Sequence, residues 1–373
     1  MLINSTRDTF SDALTANRRL YFIDALKVIS FVLVFAFHCN IHLGVHFKFD
    51  GLTRFVSQGA VLMDLFFLLS GFAQYYSNAN HSMTAERAKK FYLKRLVSVY
   101  PLYLFAQILF LLFFDKGSIV QKLLTLPVEL SLLQSWFSGL FSYSHNGGTW
   151  FISCLAFCYF LFPVLKDLLE RMSRKQLMAY LLAVYVLCAT APFIVIVNDL
   201  PNTYSNPLLR MLQFLAGMLV AALFQRGFRI SPIMGAAISV ASALAVFLLV
   251  DRFVDIGYYP HTYVTYSFAT LPLFILLVMG LTAAEIGTPP RERLGSLLQT
   301  LGKFAYPVFL AQLFVWPPAN KIISAYPRFF QTHGNSKTFL LVALICTVIT
   351  LLLHYVVELP CQKFLKKKLN LTK

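Results

Sequence analysis

The chain has 373 residues, 58% of them hydrophobic, and a mean hydropathy of +0.67. Soluble domains run nearer about 45–50% apolar, so this composition excludes a soluble enzyme or binding module and indicates a polytopic membrane protein. The net charge of +16 does not point to nucleic acid, because the lysines and arginines sit in short loops between apolar runs.

The apolar runs predict an all-α protein of about ten transmembrane helices, since roughly 20 apolar residues cross a bilayer. They fall near 21–43, 55–76, 97–114, 149–169, 177–197, 207–225, 232–250, 263–284, 300–320 and 338–357. Residues 1–20 read as a cytoplasmic tail and 360–373 as a basic cytoplasmic tail, with 1–373 as one membrane domain. The first run is too long for a signal-peptide core and no small-residue cleavage site follows it, so it is expected to be retained.

The first run carries Lys27 and His38 in an otherwise apolar stretch. Their spacing is close to three full turns, which puts them about 20° apart on one face and roughly 16 Å apart along the axis. Ionisable groups inside a membrane are costly and mark functional sites by default. The second run carries a lone acid, Asp64. The two runs are antiparallel, so His38 and Asp64 are expected at similar depth, with the carboxylate orienting an imidazole general base. The plainer alternative is a polar pair that joins two helices. His38, His42 and His46 recur every four residues, but no Cys or Glu cluster accompanies them and no metal is expected.

A basic segment, Arg87 to Pro101, feeds the third run. From Asp115 to Gly148 the chain reads as an outer loop. Residues 119–133 form an amphipathic piece in it, interrupted by Pro127. The six cysteines lie mostly within apolar runs, without CxxC or zinc-type spacing, and read as small buried hydrophobes. With the first tail cytoplasmic, lysines and arginines favour the cytoplasmic loops by more than two to one, which supports an even number of spans.

Seven stretches then carry a resemblance. Asp24-Ala-Leu-Lys27 with His38, MDLFFLLSGF, KRLVSVYPLYL and GGTWFISCLAFCYFLFPVL occur in that order. LRMLQFLAGMLVA, LGKFAYPVFLAQLFVW and VVELPCQKFLKK follow them. Together they resemble the acyltransferase 3 family, bacterial integral-membrane O-acyltransferases of surface glycans, in its exopolysaccharide-modifying branch. The basic-x10-His and FF-x-x-SG motifs are the specific parts. The resemblance implies transfer of an acyl group, most often acetyl, from cytoplasmic acyl-coenzyme A to a hydroxyl of a glycan or glycolipid. It makes His38 the essential histidine and Lys27 its basic partner, and it places Phe66, Phe67, Ser70 and Gly71 in the FF-x-x-SG motif.

On this reading Lys27 and Arg95, with Ser70 and Gly71, meet the coenzyme A donor, while His145 and Trp150 at the outer entrance hold the sugar. Glu358 reads as a structural ion-pair partner. There are departures from the family pattern. The stretch from Trp150 to Tyr159 lacks the glutamates of many members, Gln312 stands where a histidine is frequent, and no SGNH-type domain is appended. The expected setting is the bacterial inner membrane, with lipid and polysaccharide-assembly proteins as neighbours. A transporter or flippase for a lipid-linked glycan, without chemistry, or a non-catalytic subunit of a polysaccharide-export complex, would share the polar interior and basic loops. The paired broken helices of inverted-repeat transporters are not evident.

The charge pattern makes the first prediction. Single cysteines at Lys89 and Ser138 should be labelled by an impermeant thiol reagent from opposite sides of the membrane, and labelling from the same side would contradict the topology.

Overall fold

The computed structural model describes residues 19–115, 117–137, 140, 147–197, 204–253, 259–287, 292–332 and 335–371. Among these residues there is no strand, and the fold is all-α. The long helices are α1 (Tyr21–Leu43), α3 (Leu62–Asn78), α4 (Ala85–Phe113), α6 (Trp150–Glu170), α7 (Arg174–Val197), α8 (Pro207–Gln225), α9 (Pro232–Phe253), α10 (Tyr259–Gly287), α12 (Ala305–Ala325) and α14 (Asn335–Leu352). Short helices stand between and after them: α2 (Asp50–Ser57), α5 (Ile119–Leu130), α11 (Glu292–Gly302), α13 (Pro327–Thr332) and α15 (Leu359–Lys368). Among the described residues, eight helices are long and apolar enough to cross a membrane. The two other expected spans, near 177–197 and 300–320, lie on α7 and α12.

By its own contacts the chain divides into two units. The first comprises the chain up to Ser30, Ala60–Met83 and Phe160–Gly302. Its tightest joint is made by two glycines. A Cβ on Gly71 of α3 would lie 1.8 Å from the carbonyl oxygen of Phe214, and one on Gly217 of α8 would lie 1.9 Å from that of Leu68. Small residues let helix backbones approach where lipid supplies no hydrophobic drive between them. Gly235 of α9 and Gly280 of α10 repeat the device, each Cβ position 2.6 Å from the other's carbonyl oxygen. The start of α1 is anchored here too. Glu285 of α10 accepts the backbone N–H groups of Tyr21 and Phe22, both at 2.7 Å. That carboxylate satisfies donors that a helix start leaves without partners.

The second unit comprises Phe31–Gly59, Thr84–Tyr159 and Lys303–Lys373. Its core joins Phe35 and Cys39 of α1, Leu102, Tyr103 and Ala106 of α4, Ile152 of α6, Leu310 and Phe314 of α12, and Cys346 of α14. Ser118 caps α5 by accepting from the N–H of Gln121. This helix turns Ile119, Val120, Leu123 and Leu124 outward and buries Thr125 and Glu129. Apolar side chains outside and polar ones inside suit a helix with lipid on its exposed face. Between α14 and α15 the helix widens into a π turn, Leu353–Glu358, which sets His354 Nδ1 2.6 Å from Glu358 Oε2. The structural partner expected of Glu358 is therefore His354, on the same helical run.

The glycine joint makes the second prediction. Gly217→Ala should lower the stability of the detergent-solubilised protein by at least about 1–3 kcal/mol, because a backbone carbonyl occupies the space the methyl needs. A thermal unfolding midpoint equal to wild type would show that the helices do not approach this closely.

Candidate active site

His38 lies in the last two turns of α1, half-buried, in the second unit. Its Nδ1 is 2.6 Å from Oε1 of Gln312 on α12. An amide oxygen can only accept, so this bond holds the neutral ring with its proton on Nδ1. The lone pair of Nε2 is then the basic site. One turn beyond Gln312 on α12 stands Trp316, with its ring centroid 6.4 Å from that of His38. His42 stacks on the same tryptophan at 4.4 Å, with the planes 29° apart. A base with a fixed tautomer beside aromatic faces can accept a proton from a hydroxyl brought against it.

Asp64 is held in the first unit. Its Oδ1 accepts from Arg210 Nη1 at 2.6 Å and from Gln213 Nε2 at 2.8 Å. Its Oδ2 accepts from Ser267 Oγ at 2.8 Å. Arg210 is placed in turn by the carbonyl of Tyr204, 2.8 Å from its Nε, and by the Tyr204 ring at 4.6 Å. Asp64 is 2% exposed and Arg210 3%. The hydrogen-bond partner on His38 Nδ1 is thus Gln312, the position noted in the sequence only as a departure from a common histidine. The carboxylate expected to orient the imidazole is engaged by three other side chains.

The other expected site residues fall as follows. Lys27 lies on the same unbroken helix as His38 and is half-buried. Arg95 of α4 lies 5.5 Å from the ring centroids of both Phe91 and Tyr159. Ser70 is half-buried, and the open side of Gly71 is filled by the Phe214 backbone, so at Gly71 close helix packing takes the place of a donor contact. Trp150, expected as a sugar platform, is only 7% exposed, and its carbonyl accepts from Ser135 Oγ at 2.7 Å. A ring so covered has little face to offer a ligand. The half-exposed aromatic beside His38 is Trp316, which sequence reasoning missed. The available signal was its i+4 spacing from Gln312. His145 lies outside the described residues.

A hollow of about 510 Å³ in the first unit is lined by Tyr21, Phe22, Pro232, Ile233, Leu281 and Glu285, among others. Its lining includes no cation to meet a phosphate, and the Glu285 carboxylate is engaged in capping α1. Among the described residues no group of three or more metal-ligating side chains occurs.

The sequence matches the family described as Acyltransferase domain over residues 20–359. It is also similar to the acyltransferase MdmB of Streptomyces mycarofaciens, 25% identical over 346 residues, or 85% of this chain and 84% of that protein. No solved structure matches.

The buried ion pair makes the third prediction. Asp64→Asn should cost on the order of 3–5 kcal/mol of stability, because it leaves the Arg210 charge buried without its counter-charge. Combining it with Arg210→Met should recover much of the loss, a coupling that unfolding of the four variants would measure. Additive losses would mean the pair does not act as a unit.

Proposed function

Because the chain belongs to the acyltransferase 3 family, we propose that it carries an acyl group, acetyl in the simplest case, from acyl-coenzyme A to a hydroxyl of a surface or lipid-linked glycan. The observation that carries this reading is the His38–Gln312 bond of 2.6 Å, which leaves Nε2 as the base. Nε2 takes the proton of the acceptor hydroxyl as its oxygen attacks the thioester carbonyl. The carbon–sulfur bond then breaks, and the departing thiolate recovers a proton from the imidazolium. Gln312 acts as a positioning residue, holding the tautomer that keeps the lone pair on Nε2.

Lys27, three turns away on α1, is the cation we assign to the phosphates of the donor. The roughly 16 Å of helix between Lys27 and His38 is comparable to the reach of an extended pantetheine arm. Arg95 is a second cation suited to the same anions. The setting of this chemistry is a bacterial plasma membrane, with the donor on the cytoplasmic side, as the loop charges suggest.

The test is transfer from labelled acetyl-coenzyme A by purified protein in liposomes, at matched amounts of folded protein. His38→Ala should lose about 10²–10⁴ in rate, the usual worth of general-base help. Gln312→Leu should lose less, since the base remains but its tautomer is free. Near-normal turnover by a folded His38→Ala variant would reduce the histidine to a helix joint, whereas no transfer by the wild type would favour a flippase.

A further inference from the structure

Acyl transfer at His38 leaves unused the hollow of about 510 Å³ in the first unit. Four helices wall it, with Phe22 of α1, Pro232 and Ala236 of α9, Leu281 of α10 and Leu298 of α11 among its lining. Here α1 and α9 begin, at Tyr21 and Pro232, and α10 ends, at Gly287. Three apolar helices that terminate around one hollow set it at an edge of the hydrocarbon layer, the cytoplasmic edge by the loop charges. Its size falls within the roughly 300–1,000 Å³ of ligand pockets.

The position of α11 shows what the hollow borders. A Cβ on Gly295 would lie 2.7 Å from the Tyr21 ring, and one on Gly302 would lie 2.9 Å from Asp24 Oδ1. One face of α11 therefore lies against the start of α1. Leu294, Leu297 and Leu301, at 51%, 55% and 37% exposure, form a second face turned out of the protein. At about 100° per residue, Leu298 falls between the two faces. The wall that Leu298 gives the hollow thus adjoins the outward leucines, where lipid lies around an interfacial helix.

The lining selects hydrocarbon. Glu285 is the one charged residue among the described residues that line the hollow, and its two oxygens accept the N–H groups of Tyr21 and Phe22. A charged ligand would enter without a partner, whereas an alkyl chain asks for none. A cation stands at the side instead. Arg19, two residues before Tyr21, gives its Nε to Asp24 at 2.7 Å, on the side of α1 that meets α11, and its side chain is 45% exposed. That bond leaves the terminal nitrogens of the guanidinium for an anion, and phosphate matches their fork. We propose that the hollow holds one fatty-acyl chain of an anionic phospholipid whose phosphate meets Arg19. The lipid then braces the foot of α1, the helix that carries Lys27 and His38. This site stands whether or not the chain transfers acyl groups.

The test adds defined lipids back to the full chain, delipidated in detergent. Native mass spectrometry counts the copies retained, and thermal unfolding reads their effect. Dipalmitoyl-phosphatidylglycerol should be held as one tight copy and raise the unfolding midpoint. Its dihexanoyl form, too short to fill the hollow, should bind at least about tenfold more weakly, because each buried methylene adds to binding. Dipalmitoyl-phosphatidylcholine, which is net neutral, should bind about fivefold more weakly than the phosphatidylglycerol. Arg19→Gln should remove that preference and keep the dependence on chain length. Ala236→Trp, which fills the hollow from an exposed position of α9, should lose both the retained copy and the midpoint shift. Ile233→Trp, at another exposed lining position, gives the same readout if Ala236→Trp does not fold. Undiminished retention of the tight copy by the folded tryptophan variant would overturn the proposal. Equal retention of the two headgroups by the wild type would overturn it as well. Displacement of the lipid by equimolar palmitoyl-coenzyme A would overturn it in favour of a long-chain acyl donor.

Discussion

Hydrocarbon offers no water to a polar side chain, so each one buried in these helices must be met from within the protein. Asp64 shows what that demands. Its two oxygens receive bonds from Arg210, Gln213 and Ser267, contributed by α8 and α10. Arg210 is met in turn by a backbone carbonyl and two aromatic faces. Isolated, either charge would be prohibitive there; together they tie three helices of one unit at a defined rotation. Lys166, which no solvent reaches, follows the same rule, paired with Glu170 and donating to the carbonyl of His81 at 2.7 Å.

The backbones obey the matching constraint of packing. Dispersion and close approach hold lipid-facing helices together, and glycine is what permits the approach. Gly71 and Gly217 place α3 and α8 so close that each Cβ position would meet the other helix's carbonyl oxygen. Since Asp64 and Arg210 lie on those same two helices, the glycine joint also sets the distance across which the ion pair closes. A motif glycine and a buried charge thus serve one joint.

Both units keep a few buried polar atoms without partners, among them Gln74 Oε1 in the first. His38 spends Nδ1 on Gln312 and keeps the other nitrogen for chemistry, and three glutamines retain amide atoms without partners. Chains tend to violate local rules where they function. The Asp64 network uses both of its carboxylate oxygens, while the His38 bond leaves one ring nitrogen open.

From the sequence alone, the all-α membrane class and the family were legible, and Lys27, His38 and Asp64 stood out as ionisable residues in apolar runs. Hydropathy and charge are one-dimensional properties, and an ionisable residue in an apolar run is costly whatever surrounds it. The family match over residues 20–359 agrees with the motifs in which that reading was made. Partnership was not legible in the same way. Helical spacing and antiparallel depth brought Asp64 near the level of His38, but depth does not set the rotation of a helix or the choice of neighbour. Gln312 and Gln213, distant in sequence from the groups they bond, carry no local signal of those roles, and Trp150 and Trp316 look alike on a hydropathy plot. Which tryptophan is covered, which amide meets the imidazole and which helix receives the carboxylate were decided by tertiary packing, because side-chain direction around a helix becomes specific only when the helices are docked.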